Sequence, residues 1–532
     1  MPEDSTTRRR ILRAASAAGV VSVAGCTGGS DDTDGMGDEG GIPTEIVIGA
    51  SSTPNTLNPI RARTSIGWIM HNWMYSNLIQ YDSNLELHGD IAEDWESNSA
   101  ADEFTFMLRD DATYHHNGEP VVASDVKATL DAIYDPAFAS PGEGALGPIE
   151  SVDVVDESTV TVNTGTSYSD LPKMMAEKYP RIIPEEVIEN DFDSLEANDF
   201  GSGPFILQEA EFGTEFRFER NPDYYMTDEN GESLPYIDAI TLRTMPETES
   251  RITALQNNEI DMLEVVPPEQ VERVQSINDI TFEGKPGGRH FPIDLRTDTE
   301  PFDDNRVRQA IKYAIDKEEM LEVVNNGRGV LAQNNQISPA HEFYADLPDM
   351  FGVNSELEEA EDLLSEAGYE SGIELDFPMV VPTEIDEQVE RTAVLAQDQL
   401  GAVGIEFDIE RVPWETFLAD YTAEAPMTTT VWSMRTVEYE LLFLLNHSDG
   451  GLNSHTRFND EEFEEALLGA ASSTTTEQKA EYYAECQRII QERGGYVIPF
   501  FASVLGGWNE SIDGFEMDPT LATKKLQEVE KL

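Results

Sequence analysis

The stretch YSNLIQYDSNLELHGDIAEDWESNSAADEFTFMLRDDATYHHNGEPVVASDVKATLD, Tyr75 to Asp131, decides how the chain reads. Within it, EFTFMLRDDATYHHNG alternates apolar and polar residues into an Asn-Gly turn and predicts a hairpin. The overlapping ASDVKATLDAIYDP predicts a helix opened by Ser124 as N-cap, with Asp125 in the first turn. His115 and His116 are adjacent and so face opposite sides of an extended chain, which suits support of the Asn117-Gly118 turn and excludes joint chelation of a metal. Working outward, TEIVIGASS reads as a strand and GWIMHNWMYSNLIQYD as a helix running into a turn. VDVVDESTVTVNTG and ITLRTMPE read as strands and ESRITALQNNE as a helix. Farther on, DDNRVRQAIKYAIDKEEMLEVVNN predicts one strong amphipathic helix, SELEEAEDLLSEAGY a second and IDEQVERTAVLAQDQLGAVG a third, with strands IELDFPMVV and IEFDIERVP among them. Helices alternating with short strands, without a fixed-period repeat, predict α/β architecture.

Composition bounds the rest. The 532 residues carry 104 Asp and Glu against 34 Lys and Arg, a net charge of −70, which repels nucleic acid and anionic membrane surfaces. The acids are spread along the whole chain, as in proteins of salt-loving organisms, where the Debye length at ~1 M salt is about 3 Å and surface charges barely feel one another. Apolar residues make up 39%, too many for an acidic disordered chain, and the length calls for two or three domains. With one residue in five acidic, carboxylate pairs carry no information about glycoside hydrolysis. The chain has no Gly-x-Ser-x-Gly elbow, His-Glu-x-x-His, P-loop or Cys/His cluster, an absence that agrees with a binder, and no catalytic residue, metal or cofactor is expected.

The first 25 residues oppose the rest in charge. Arg8, Arg9, Arg10 and Arg13 precede an apolar run, Ala14 to Ala24, far shorter than the ~20 residues of a membrane span. Thr7-Arg8-Arg9-Arg10-Ile11-Leu12 resembles a twin-arginine export signal, with Arg8 and Arg9 as its pair. Val23-Ala24-Gly25-Cys26 resembles a lipobox whose cysteine is lipidated after cleavage. Residues 1–25 are thus expected to be a signal and Gly/Asp-rich residues 26–43 a flexible tether. Lipidation of Cys26 leaves Cys486 alone, as a small buried residue.

The opening stretch also resembles, with GSGPFIL, RNPDYY, ALQNNEIDML, PFDDNRVRQAIKYAIDKEEM and EAEDLLSEAGY following in order, the family 5 solute-binding proteins of ABC importers, which bind peptides, dipeptides and nickel chelates. The resemblance implies a periplasmic-binding-protein-like fold of two hinged lobes with an inserted domain. Lobe I would comprise residues 44–75, 199–290 and 497–532, the insertion 76–198, and lobe II 291–496. It implies a monomer, lipid-anchored at the cell surface, that captures a peptide or small-molecule ligand by lobe closure and passes it to a permease and ATPase. A sugar- or organic-anion-binding member, or a surface sensor uncoupled from transport, is the alternative. Gly201, Gly203, Pro204 and Asn221-Pro222-Asp223 read as scaffold turns, and Arg306 and Arg308 as the exposed start of a helix. In peptide-binding members a Trp is followed three residues later by an Asp that pairs with the peptide's ammonium. Here Trp432 is followed by Arg435, whose guanidinium suits a carboxylate or phosphate. Arg435 pairing with Glu438 or Glu440, or a slip placing Glu438 at the ammonium, are the competing readings. Trp68, Phe291 and Trp414 are further ligand-site candidates, with core packing the competing reading for each.

Overall fold

The computed structural model describes residues 44–142, 146–348, 350–383, 385–452, 455–520 and 525–532. The export-signal arginines Arg8 and Arg9, the lipidation candidate Cys26 and the tether all lie outside the described residues.

The strand Glu45–Ala50 is paired on both edges. It runs parallel to Ala239–Thr244 on one side and to Met262–Leu263 on the other. Around it forms an eight-stranded sheet whose main path runs Ile280–His290, Phe500–Asn509, Met262–Leu263, Glu45–Ala50, Ala239–Thr244, Glu215–Arg220, Phe205–Glu211, with Gly329–Leu331 added to Phe500–Ala502. A five-stranded sheet has the order Ile409–Pro413, Met379–Thr383, Met427–Thr429, Ile293–Leu295, Tyr496–Val497, and an antiparallel four-stranded sheet joins Ala92–Ser97, Glu103–Leu108, Thr159–Asn163 and Ser151–Asp156. The large and four-stranded sheets share one apolar core, while the five-stranded sheet has its own, around Phe302, Ile311 and Met379. The chain passes between the large and five-stranded sheets at residues 290–293 and again at 497–500.

The helix Ser65–Met74 starts where the Thr64 hydroxyl accepts the Gly67 N–H, an ordinary N-cap. It buries Ile66, Ile69, Met70 and Trp73 in the shared core. Its end explains GSGP: the Gly203 N–H donates to Met74 O at 2.9 Å, and a Cβ on Gly201 or Gly203 would run into the Met74 backbone. His115 fastens the same turn. Its Nε2 donates to Gly203 O at 2.9 Å, its Nδ1 faces Asp199 at 3.0 Å, and its N–H donates to Gly201 O at 2.8 Å. His115 therefore braces the Gly201–Gly203 turn and not the Asn117-Gly118 turn expected of it.

Four local expectations are corrected. The helix begins at Ala123 with Val122 as N-cap, not at Ser124; Asp125, in the first turn, accepts the Val122 N–H at 3.0 Å and the Glu185 N–H at 2.8 Å. Strand Glu103–Leu108 pairs with Ala92–Ser97 and Thr159–Asn163, and the Asn117-Gly118 turn closes only a Thr113–Pro120 bridge. The long helix is two, Asn305–Ala314 and Lys317–Asn325, because Ile315 is extended and the Asp316 carboxylate caps the second at Glu319 N, 2.8 Å. Apolar spacing survives the break, so periodicity alone reads straight through it. Finally, Arg306 is exposed but Arg308 is buried, donating to Phe302 O at 2.6 Å and Arg493 O at 2.7 Å. It thereby satisfies the orphan carbonyls ending Thr476–Arg493, helped by Lys312, whose Nζ reaches Gln491 O and Gly494 O.

Candidate ligand cleft

One cavity, of about 270 Å³, takes its walls from the large sheet at Arg289 and residues 502–504, from the loop that follows strand Met427–Thr429 of the five-stranded sheet, and from helix Ser65–Met74 and the 176–178 segment. The helix Ser65–Met74 contributes Trp68 and Asn72, which share a face because they are four residues apart. The 176–178 segment contributes Glu177 and Lys178, the end of strand Ile280–His290 contributes Arg289, and the segment after Met427–Thr429 contributes Ser433, Met434 and Thr436. Glu264 lines it from the position just after strand Met262–Leu263. A larger hollow of about 380 Å³, walled by residues near Asp82, Tyr224 and Glu528, takes no residue from the five-stranded sheet's part of the chain.

The charged groups at this cleft are held in place. Lys178 Nζ sits 4.5 Å above the Trp68 ring and 5.3 Å from that of Tyr179, cation–π contacts that fix the indole, and Tyr179 meets Trp68 edge-on at 6.3 Å. Glu264 accepts the Ser51 N–H at 2.9 Å and hydroxyl at 3.0 Å. Arg289 is ion-paired with Asp386, the N-cap of helix Glu387–Gly401. Behind the wall, Arg181 donates to Asn72 Oδ1 at 2.7 Å, and its burial pulls its pKa down to about 10 despite the nearby carboxylates of Asp90 and Glu177.

Of the residues singled out in the sequence, Trp68 lines the cavity and the other four do not. Trp432 is tied through its backbone to the end of strand Ile280–His290, exchanging N–H···O bonds of 3.0 Å with His290 in both directions. Its ring lies edge-on to His455 at 5.2 Å, and His455 Nδ1 faces Asp294 at 3.1 Å. Arg435 is ion-paired with Glu440, and its carbonyl faces His341 Nε2 at 2.9 Å. Burial disfavours its cation, but Glu440 and Tyr179 outweigh that and raise its pKa. Phe291 is 1% exposed and packs on Phe500. Trp414 stacks on Phe417 at 5.7 Å in a separate cluster with Val380 and Val412. The expected segment thus reaches the cavity, but through Ser433, Met434 and Thr436. Asn72, Lys178, Glu264 and Arg289 had escaped the sequence reading; only Asn72 carried a signal, its helical spacing from Trp68.

The family model described as "Bacterial extracellular solute-binding proteins, family 5 Middle" matches residues 86–451, well over half of the chain. This chain belongs to family 5 of the extracellular solute-binding proteins. Among its relatives is the dipeptide-binding protein of Escherichia coli K12, 24% identical over 481 residues that cover 84% of this chain and 87% of the relative. Solved structures with the same fold include HbpA2 from Haemophilus parasuis, 22% identical with a TM-score of 0.80 over 92% of this chain and all of that one. Another is AgaA from A. tumefaciens R10 in complex with agropinic acid, 22% identical with a TM-score of 0.77 over 92% of this chain and 99% of that one. The periplasmic-binding-protein-like α/β fold is thereby established. Family 5 proteins are the solute-binding components of ABC importers, taking peptides or similar ligands, and its relatives here are binders, not enzymes. Among the described residues no helix is long and apolar enough to cross a membrane.

Proposed function

We propose that this family 5 protein is the surface receptor of an ABC importer, tethered through a lipid on Cys26, which captures a small polar solute by hinged closure of two lobes. Lobe I is read as residues 44–75, 199–290 and 497–532, the insertion as 76–198 and lobe II as 291–496. The observation that carries the reading is the cavity walled by the large sheet and by the loop that follows strand Met427–Thr429 of the five-stranded sheet, because a site shared by two lobes is where closure traps a ligand.

The volume, about 270 Å³, lies near the lower end of the ~300–1,000 Å³ range of ligand pockets and supports a ligand of di- or tripeptide size. Its carboxylates, Glu177 and Glu264, suit an ammonium, and its cations, Lys178 and Arg289, suit a carboxylate. A zwitterionic, peptide-like solute matches both. With Arg435 held by Glu440, the carboxylate that peptide-binding members place three residues after the tryptophan has no counterpart, so Glu264 takes the ammonium in this reading. An organic anion is the second reading, favoured by the adjacency of Lys178 to the Trp68 face.

The test is thermal unfolding of the purified protein in molar KCl with dipeptides, tripeptides, sugars and organic acids. A ligand at 100 times its Kd stabilises the fold by about 2.7 kcal/mol, and Glu264→Gln should weaken free-amino ligands at least tenfold while sparing N-acetylated ones. Hydrolysis of a ligand, or no shift with any class, would refute the proposal.

A further inference from the structure

Away from the cleft, one six-residue stretch of the insertion, Tyr168–Lys173, makes a dense set of contacts with the chain beyond residue 340. Tyr168 meets the Tyr439 ring edge-on at 5.1 Å. The Ser169 N–H and hydroxyl both donate to Ala471 O, at 3.0 and 3.2 Å. Asp170 accepts Lys479 Nζ at 2.6 Å and the Tyr483 hydroxyl at 2.9 Å. Lys173 Nζ lies 2.6 Å from Glu342, 3.5 Å from Glu438 and 4.7 Å above the Phe343 ring.

These charges are not surface decoration. Asp170 is 1% exposed, Glu438 0% and Lys479 8%, so the contact desolvates ions that are fully hydrated when the two faces part. Burial opposes the Asp170 carboxylate, yet Lys479 and Lys173 hold its pKa below the ordinary value. A buried charge costs little only while its partner is present. Removing one partner therefore penalises the closed arrangement and leaves an open one untouched. None of these six residues lines the cleft cavity.

We propose that Tyr168–Lys173 is an electrostatic latch, closing the insertion onto lobe II through Asp170–Lys479 and Lys173–Glu438 and setting the closed fraction of the ligand-free protein. The proposal rests on the hinged-lobe reading above. Because apparent affinity scales with the fraction of protein in the binding-competent form, the latch tunes the affinity of every ligand alike, without touching any. Being buried, it is insensitive to salt, unlike the pairs on this acidic surface.

The test is single-molecule energy transfer on the full chain carrying Cys26→Ser and dyes at Val155→Cys and Leu468→Cys. These positions are 62% and 63% exposed, one in the insertion and one beyond the contact, and the native Cys486 is buried. Without ligand, the wild-type background should populate a closed state. Asp170→Asn should cut its closed-to-open ratio at least tenfold, equally at 1 and 3 M KCl, and Asp170→Asn with Lys479→Met should recover most of it by removing both charges. Circular dichroism checks folding of each variant. Two exchanging states with weights unchanged within twofold by Asp170→Asn would overturn the latch alone. A single transfer efficiency shared by all variants, with or without 5 mM alanyl-alanine, would overturn the hinge reading with it.

Discussion

Replacing Arg435 by Met separates the two roles its position allows. Its guanidinium is ion-paired with Glu440, whose side chain is 4% exposed against 20% for Arg435. Two unit charges ~4 Å apart at an effective dielectric of ~20 attract by about 4 kcal/mol. Deleting one partner of such a buried pair costs about 3–5 kcal/mol, because the other charge stays uncompensated. Unfolding entropy is ~2.1 cal/mol/K per residue. A loss of ~3 kcal/mol therefore lowers the melting temperature by roughly 3 °C if residues 44–532 unfold together, and by roughly 7 °C if residues 291–496 unfold alone. The double variant Arg435→Met/Glu440→Leu should recover at least half of the loss, since an apolar pair of similar bulk avoids the desolvation cost. The assay is thermal unfolding in 3 M KCl, with dipeptide and carboxylate ligands titrated on each variant. A variant as stable as the parent that has lost carboxylate-ligand binding would refute the structural role of Arg435 and return it to the ligand.

Further outcomes are equally open to measurement. Gly203→Ala should give a protein destabilised by several kcal/mol or unable to fold, since the new Cβ lies 2.7 Å from the Met74 carbonyl carbon; unchanged urea unfolding would contradict the close approach. His71 and His290 are buried neutral, their pKa values lowered by desolvation to about 3 and about 4 from 6.5. The unfolded chain takes up their protons first, so this stability is complete above pH 6.5 and is lost as pH falls toward those values, by about 2–3 kcal/mol per histidine at pH 4.5. His290→Asn should therefore show a shallower acid dependence than the parent between pH 6.5 and 4.5; parallel curves would disprove it. In dilute buffer the net charge of −70 should unfold the protein through self-repulsion, and a melting temperature independent of KCl from 0.1 to 3 M would contradict that.

The elements whose information is local were legible in the sequence. Asp125 sits in the first turn of its helix, the hydrophobic alternation of EIVIGA made a strand, and the two glycines of GSGP marked a turn. The break at Ile315 was not, because both flanking helices bury the same apolar spacing and only tertiary packing decides where the cap falls. The contrast is sharper at the cleft. That Trp432 and Arg435 are followed by acids was plain in the sequence, but several carboxylates lay within reach, and only the fold chose Glu440 for Arg435.

The sequence by itself determined the α/β class, the family and the acidity of the surface, because motif order, periodicity and composition are properties of a linear chain. Tertiary structure alone decided that Glu177, Glu264, Arg289 and Met434 meet around Trp68, and that Asp170 meets Lys479 across 309 residues. Those groups lie on different strands and loops, and no local rule of charge or spacing relates residues that only the pairing of sheets brings together.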